Sequence, residues 1–294
     1  DVTTGAQNVL IGGDAGAKIT TADRNIAIGG AAMQSGTGGS NTMVGDNAGA
    51  LTTTASGSVF LGRLAGQSVT TGNDNIAIGN DAMNGATTTG DSNIAMGVSA
   101  LDAVTSGYNN IAIGDNAAGA LTTGARNVLI DPNPAASGVT AGVTTGTVNV
   151  GVGYATLTAL TDGYSNIAIG AQAGNKIAGG DNNITMGYQA GLNINAGSQN
   201  IIIGYRAADA ANMSNQTAIG YEALGASDGT GMNLALGFYA LNKLVKGDNS
   251  TAIGNYAGYY ATGSNNTFVG DSAGKGGTTS APYSSGEKNI AIGK

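Results

Sequence analysis

The sequence predicts an all-β fold, a parallel β-roll or β-solenoid of about seventeen coils of about 17 residues each. Three observations predict it: a short motif that returns at a fixed period, a composition too rich in glycine and too poor in aromatics for a thick core, and prolines confined to places where the period slips.

The motif is an Asn followed by a large aliphatic, a small residue, a second large aliphatic and a Gly. It stands as Asn25-Ile26-Ala27-Ile28-Gly29, Asn75-Ile76-Ala77-Ile78-Gly79, Asn110-Ile111-Ala112-Ile113-Gly114, Asn166-Ile167-Ala168-Ile169-Gly170 and Asn289-Ile290-Ala291-Ile292-Gly293. Looser copies place the closing glycine at Gly12, Gly45, Gly62, Gly97, Gly153, Gly187, Gly204, Gly220, Gly237, Gly254 and Gly270, with Asp131 in its place once. Successive anchors lie 16 to 18 residues apart except for two steps of 22 and 23. Pro132 and Pro134 fall in the first long step and Pro282 in the second, as expected of loops that interrupt a register. The expected organisation is therefore one repeat array over residues 1–294, with loop insertions near 131–148 and 274–287. A period near 17 fits poorly with helical repeats, which usually run to about 34 residues or more, although single segments such as Ser99 to Val104 do not exclude a helical turn.

Composition agrees with a thin, closely packed architecture. The chain holds 52 Gly in 294 residues without a strict every-third pattern and only 3 Pro, which excludes collagen. Its 41% hydrophobic content argues against disorder, while 5% aromatic residues cannot build a thick core.

Within each copy a strand puts the two flanking aliphatics, such as Ile26 and Ile28, Ile76 and Ile78, or Ile167 and Ile169, on one face. The small residues, Ala27 and Gly29 in the second copy, make up the opposite face. A bare face wants a close apolar neighbour, and symmetric self-association supplies one, so a homotrimer is expected, with a monomeric solenoid as the alternative. The Asn column (Asn25, Asn75, Asn166 and their counterparts) reads as a turn residue that tolerates the left-handed conformation and hydrogen-bonds to the next coil, rather than as a ligand ladder. Ala three residues after the anchor, as at Ala32, Ala48 and Ala65, reads as a packing column.

These residues resemble the head repeats of trimeric autotransporter adhesins of the YadA type, and the Ala218-Ile219-Gly220-Tyr221-Glu222-Ala223 variant is similar to shaft repeats of phage tail-fibre proteins. The resemblance covers essentially the whole chain. It implies a left-handed parallel β-roll of three identical chains, with adhesion to a host cell-surface glycan or protein as the activity and an extracellular location on a cell or a virion. The coils here are longer than typical adhesin head coils, and the Gly220-Tyr221-Glu222-Ala223 variant slightly favours the fibre.

The search for chemistry ends without a catalytic site. With no His and no Cys, triads, histidine bases and most zinc sites are excluded, no cofactor is expected, and the chain reads as a non-enzyme. Asp14, Asp46, Asp81, Asp115 and Asp271 all lie one or two places after an anchor glycine and read as solvated turn aspartates rather than a glycosidase pair. A net charge of -7 opposes nucleic-acid binding. No apolar run is long enough to insert in a membrane, and the opening at Asp1 suggests a mature or excised piece.

Two further columns are candidates for contact surfaces. Thr pairs precede the anchors in the earlier coils, at Thr20-Thr21, Thr53-Thr54, Thr70-Thr71, Thr88-Thr89 and Thr122-Thr123 among others. A Thr ladder is what an ice-binding solenoid would display, and that is the alternative function, together with a passive spacer. Aromatics gather after the anchor in the later coils, at Tyr154, Tyr188, Tyr205, Tyr221, Phe238 with Tyr239, and Tyr256. They are the candidate surface-binding residues, for sugar stacking or protein contact, unless they fill a groove between chains.

Overall fold

A computed structural model describes residues 4–130, 145–210, 212–227, 231–276 and 286–294. Asp131, the three prolines and most of both expected insertions lie outside them. The described residues contain seventeen strands of three residues each and no helix. The chain forms two compact units, 1–149 and 150–294, whose boundary follows the first register break.

The first unit carries β1 (Val9–Ile11), β2 (Ile26–Ile28), β3 (Thr42–Val44), β4 (Val59–Leu61), β5 (Ile76–Ile78), β6 (Ile94–Met96), β7 (Ile111–Ile113) and β8 (Val128–Ile130). Each strand pairs in parallel with the next and in unbroken register, for example Ile76 with Ile94 and Ile94 with Ile111. The second unit repeats the pattern with β9 (Val150–Val152), β10 (Ile167–Ile169), β11 (Ile184–Met186), β12 (Ile201–Ile203), β13 (Thr217–Ile219), β14 (Leu234–Leu236), β15 (Thr251–Ile253), β16 (Thr267–Val269) and β17 (Ile290–Ile292). The expected parallel β-solenoid is what the chain builds.

The two faces of the strand divide as the sequence indicates, and the small one is turned inward. The middle residue points into the coil: Ala27, Ala77, Ala112 and Ala168 are fully buried. The flanking aliphatics point outward, and Ile26, Ile113 and Ile169 are more than a third exposed. The reason is the thickness of the coil. Two short walls face each other, and the space between them holds about one side chain per rung, so an inward pair of isoleucines would not fit. The close neighbour that the bare face requires is the opposite wall of the same coil.

That wall starts at the anchor glycine, and its residues alternate into the left-handed region. Ala31 and Met33 have φ of 50° and 49°, and Ser99 and Leu101 have φ of 53° and 52°. The alternation rules out the helical turn allowed over Ser99 to Val104. Left-handed non-glycine residues cost roughly 1 kcal/mol each, and coil-to-coil hydrogen bonds offset this: Asn47 N donates to Gly30 O at 2.8 Å and Met33 N to Ala48 O at 2.9 Å. The packing column is in place, with Ala32, Ala48, Ala65, Ala173 and Ala190 all fully buried.

The anchor itself must be glycine. Gly62 has φ of +138°, and a Cβ there would stand 2.5 Å from the carbonyl oxygen of Gly79 in the next coil. Gly29, Gly79 and Gly170 repeat the conformation at φ of +137°, +135° and +116°.

The Asn column is a buried hydrogen-bond ladder. Asn75 Nδ2 donates to Gly90 O at 2.9 Å, and Asn75 Oδ1 accepts from Asn93 N at 2.9 Å. Asn166 Oδ1 likewise accepts from Asn183 N at 3.0 Å, and Asn25 Oδ1 from Asn41 N at 2.9 Å. One detail differs from expectation. The left-handed residue is the one before the Asn, such as Arg24, Asp74 or Ser165, and not the Asn itself. This arrangement turns the chain into the strand and leaves the amide free to span two coils.

Candidate functional site

Parallel stacking at one strand spacing per coil brings like positions of successive coils within ring-contact distance. In the second unit this converts the tyrosine column into a ladder. Tyr188 and Tyr205 stack with centroids 5.3 Å apart and planes 22° apart. Tyr205 and Tyr221 follow at 5.0 Å and 6°, and Tyr221 and Phe238 at 5.1 Å and 23°. A second column starts one residue later in the coil, where Tyr239 and Tyr256 stack at 5.4 Å. The columns meet edge-on, with Phe238 and Tyr239 at 4.5 Å and 86°.

Six of the seven aromatics singled out therefore belong to one surface: Tyr188, Tyr205, Tyr221, Phe238, Tyr239 and Tyr256. The seventh, Tyr154, does not touch it. It stands in the same column as Tyr188, but the rung between them is Ala171, and Tyr154 is half-buried with no ring partner among the described residues. Two members were missed. Tyr259 packs against Tyr239 at 5.7 Å and Tyr256 at 5.5 Å, and Tyr260 meets Tyr259 edge-on at 4.5 Å. Both lie five or six residues after Gly254, beyond the column just after the anchor, and only a fold-aware alignment of all coil positions would have flagged them.

The stack decides what the ladder offers. Tyr205 has a ring against each of its two faces, yet it is 43% exposed, so it presents its edge and hydroxyl to solvent. Within the ladder, ring faces are not free for sugar stacking.

Charges are arranged around this surface. Arg206 Nε donates to Asp209 Oδ2 at 2.8 Å, and Arg206 also lies 3.9 Å from Glu222. Lys275 sits 4.6 Å over the Tyr256 ring and Lys243 5.9 Å over Tyr259, a cation–π arrangement at one end of the ladder. The Tyr239 hydroxyl is pushed up to about 12 by crowding under its neighbours, by the Glu222 carboxylate and by its hydrogen bond with Tyr221. Burial, with Tyr260 beside it, also raises the Tyr259 hydroxyl. Near neutral pH both keep their protons and act as donors.

The other expected columns are occupied structurally. Thr53 Oγ1 donates to Thr70 O at 2.9 Å, Thr105 Oγ1 to Thr122 O at 3.2 Å and Thr161 Oγ1 to Ala178 O at 3.1 Å. These hydroxyls tie one coil to the next instead of forming a free donor array. Asp14, Asp46, Asp115 and Asp271 are exposed, and Asp81 is half-buried, holding Asn84 Nδ2 at 2.9 Å. Among the described residues no three His, Cys, Asp or Glu cluster in a way that would hold a metal ion.

Compared with protein-family models and with curated proteins, the sequence matches none.

Proposed function

We infer that this chain is an extracellular, non-catalytic structural segment of a fibre or surface adhesin. It associates with further copies of itself through its outward aliphatic face, as a left-handed homotrimeric roll, and displays the aromatic ladder to a cell-surface glycan or protein. The observation that carries the reading is that face. The two outward columns of the seventeen strands contain no charge, and only Thr42, Thr217, Thr251 and Thr267 depart from Val, Ile, Leu or Met. Within each unit, apolar columns of this kind, half-buried to exposed, mark an interaction site, because a soluble monomer gains nothing by keeping them. A surface that repeats once per coil is best matched by another surface with the same repeat, and a second copy has one. The total absence of His and Cys supports a non-catalytic role.

The test is to place charge on the face without touching the coil interior. Ile76→Lys with Ile78→Lys is expected to lower the solution mass to that of one chain while the far-ultraviolet circular dichroism stays that of a β-fold. An unchanged mass would contradict the reading.

A further inference from the structure

We propose that the missing rung between Tyr154 and Tyr188 is a binding slot for one pyranose ring of a glycan. The proposal rests on the adhesive reading above and names the ligand and the place.

The strand register aligns Val152, Ile169 and Met186. The residues two places later, Tyr154, Ala171 and Tyr188, therefore occupy one column. Backbone hydrogen bonds repeat along it: Gln172 N donates to Tyr154 O at 2.7 Å, Gln189 N to Ala171 O at 3.0 Å and Arg206 N to Tyr188 O at 2.8 Å. From Tyr188 to Phe238 each rung carries a ring 5.0 to 5.3 Å from the next. At Ala171 the ring is replaced by a methyl group, so two aromatic rungs stand two coils apart, about 10 Å by strand spacing.

One face of Tyr188 is covered by Tyr205, and the other looks across the Ala171 step. This is the ladder's open face, and Tyr188 is 44% exposed. The step has room for one six-membered ring, as the ladder's own rungs at 5.0 to 5.3 Å show, and the C–H face of a sugar packs on an aromatic ring; the choice of a sugar rests on the polar edge.

The slot also has a polar edge. Gln189 Nε2 donates to Gln172 Oε1 at 2.7 Å. That leaves the Gln172 amide nitrogen as a donor and the Gln189 oxygen as an acceptor beside Ala171 and Tyr188. An open aromatic face, that of Tyr188, with a donor and an acceptor at its edge is the combination that recognises a ring with equatorial hydroxyls.

The experiment uses the whole chain and saturation-transfer NMR with a panel of methyl hexopyranosides, with phenol and indole as competing probes. Attachment of the wild-type chain to cells is measured in parallel. Wild type is expected to transfer saturation to at least one pyranoside. Ala171→Tyr, which fills the rung, is expected to abolish the transfer without lowering the melting temperature, and Tyr188→Ala to weaken it about tenfold, the upper end of one stacking contact. The slot is overturned if no pyranoside responds, if Ala171→Tyr leaves the response unchanged, or if phenol or indole displaces the sugars at lower concentration. Attachment that persists in Ala171→Tyr while the sugars fail removes the slot and leaves the adhesive reading. Sugar binding without any attachment does the reverse.

Discussion

A Cβ placed on Gly66 would stand 2.6 Å from the Phe60 ring, so the glycine six residues after the middle of β4 exists to admit the phenylalanine. The same trade recurs along the chain. Leu10 faces Gly16, while in β2 and β5 the middle residue is Ala27 or Ala77 and the sixth residue after it is the buried Met33 or Met83. Each rung of the core has room for about one large side chain, which either wall can supply.

That trade predicts a coupled pair. Phe60→Ala alone is expected to cost about 3 to 5 kcal/mol by leaving a cavity, and Gly66→Met alone to destabilise by overpacking, by about 1 to 3 kcal/mol. Together they recreate the Ala27 and Met33 arrangement. Urea denaturation of the four proteins of the cycle is expected to give a favourable coupling of more than about 1 kcal/mol. Additive losses would show that the two positions do not share a rung.

The Asn ladder makes a second prediction. Asn110 Nδ2 donates to Gly124 O at 2.8 Å and to Asn93 Oδ1 at 3.0 Å, and its Oδ1 accepts from Asn127 N at 3.0 Å. Asn110→Ala strands buried partners on both neighbouring coils and is expected to cost about 2 to 4 kcal/mol, since each orphaned group carries about 1 to 3. An equal loss from Asn73→Ala, at an exposed position, would contradict it.

Gly62→Ala is expected to be worse than a cavity. It forces an alanine into φ of +138° and drives its methyl against the Gly79 carbonyl, and neither can relax without moving two coils. Hydrogen exchange should show lost protection centred on β4 and β5. Retained protection there would mean that the stacking tolerates a side chain at the anchor.

The tyrosine ladder has a pH signature. Tyr239 titrates near 12 in the folded chain against an ordinary value of 10. A hydroxyl raised in this way favours the folded state while it is protonated. Its contribution is complete below about pH 10 and is lost as pH rises through about 12. Absorbance titration at alkaline pH is expected to show a late-ionising tyrosine that Tyr239→Phe removes. A titration unaltered by Tyr239→Phe would contradict the ring geometry.

Much of this was legible in the sequence. A closing glycine follows every described strand except β8, which Asp131 follows, and the Asn column and the buried Ala column are where the period placed them. The small face was legible as the closely packed one, but its neighbour was not: it is the opposite wall of the same coil and not a second chain. In a coil one side chain thick, Ile76 and Ile78 cannot both point in, so Ala77 does. The corrective signal was present as the reciprocal sizes of Phe60 and Gly66, six residues apart, but it acquires meaning only once the two walls are known to face each other. The tyrosine column was readable as a surface, whereas its stacked geometry, and with it the loss of free ring faces, follows from the coil-to-coil register.

The central claim is that the outward aliphatic columns are covered by other copies of the chain. Sedimentation equilibrium of the 28.5 kDa chain tests it most directly. The account predicts a stable mass of three chains that does not fall on dilution through the micromolar range, and a homogeneous single-chain mass at those concentrations would contradict it.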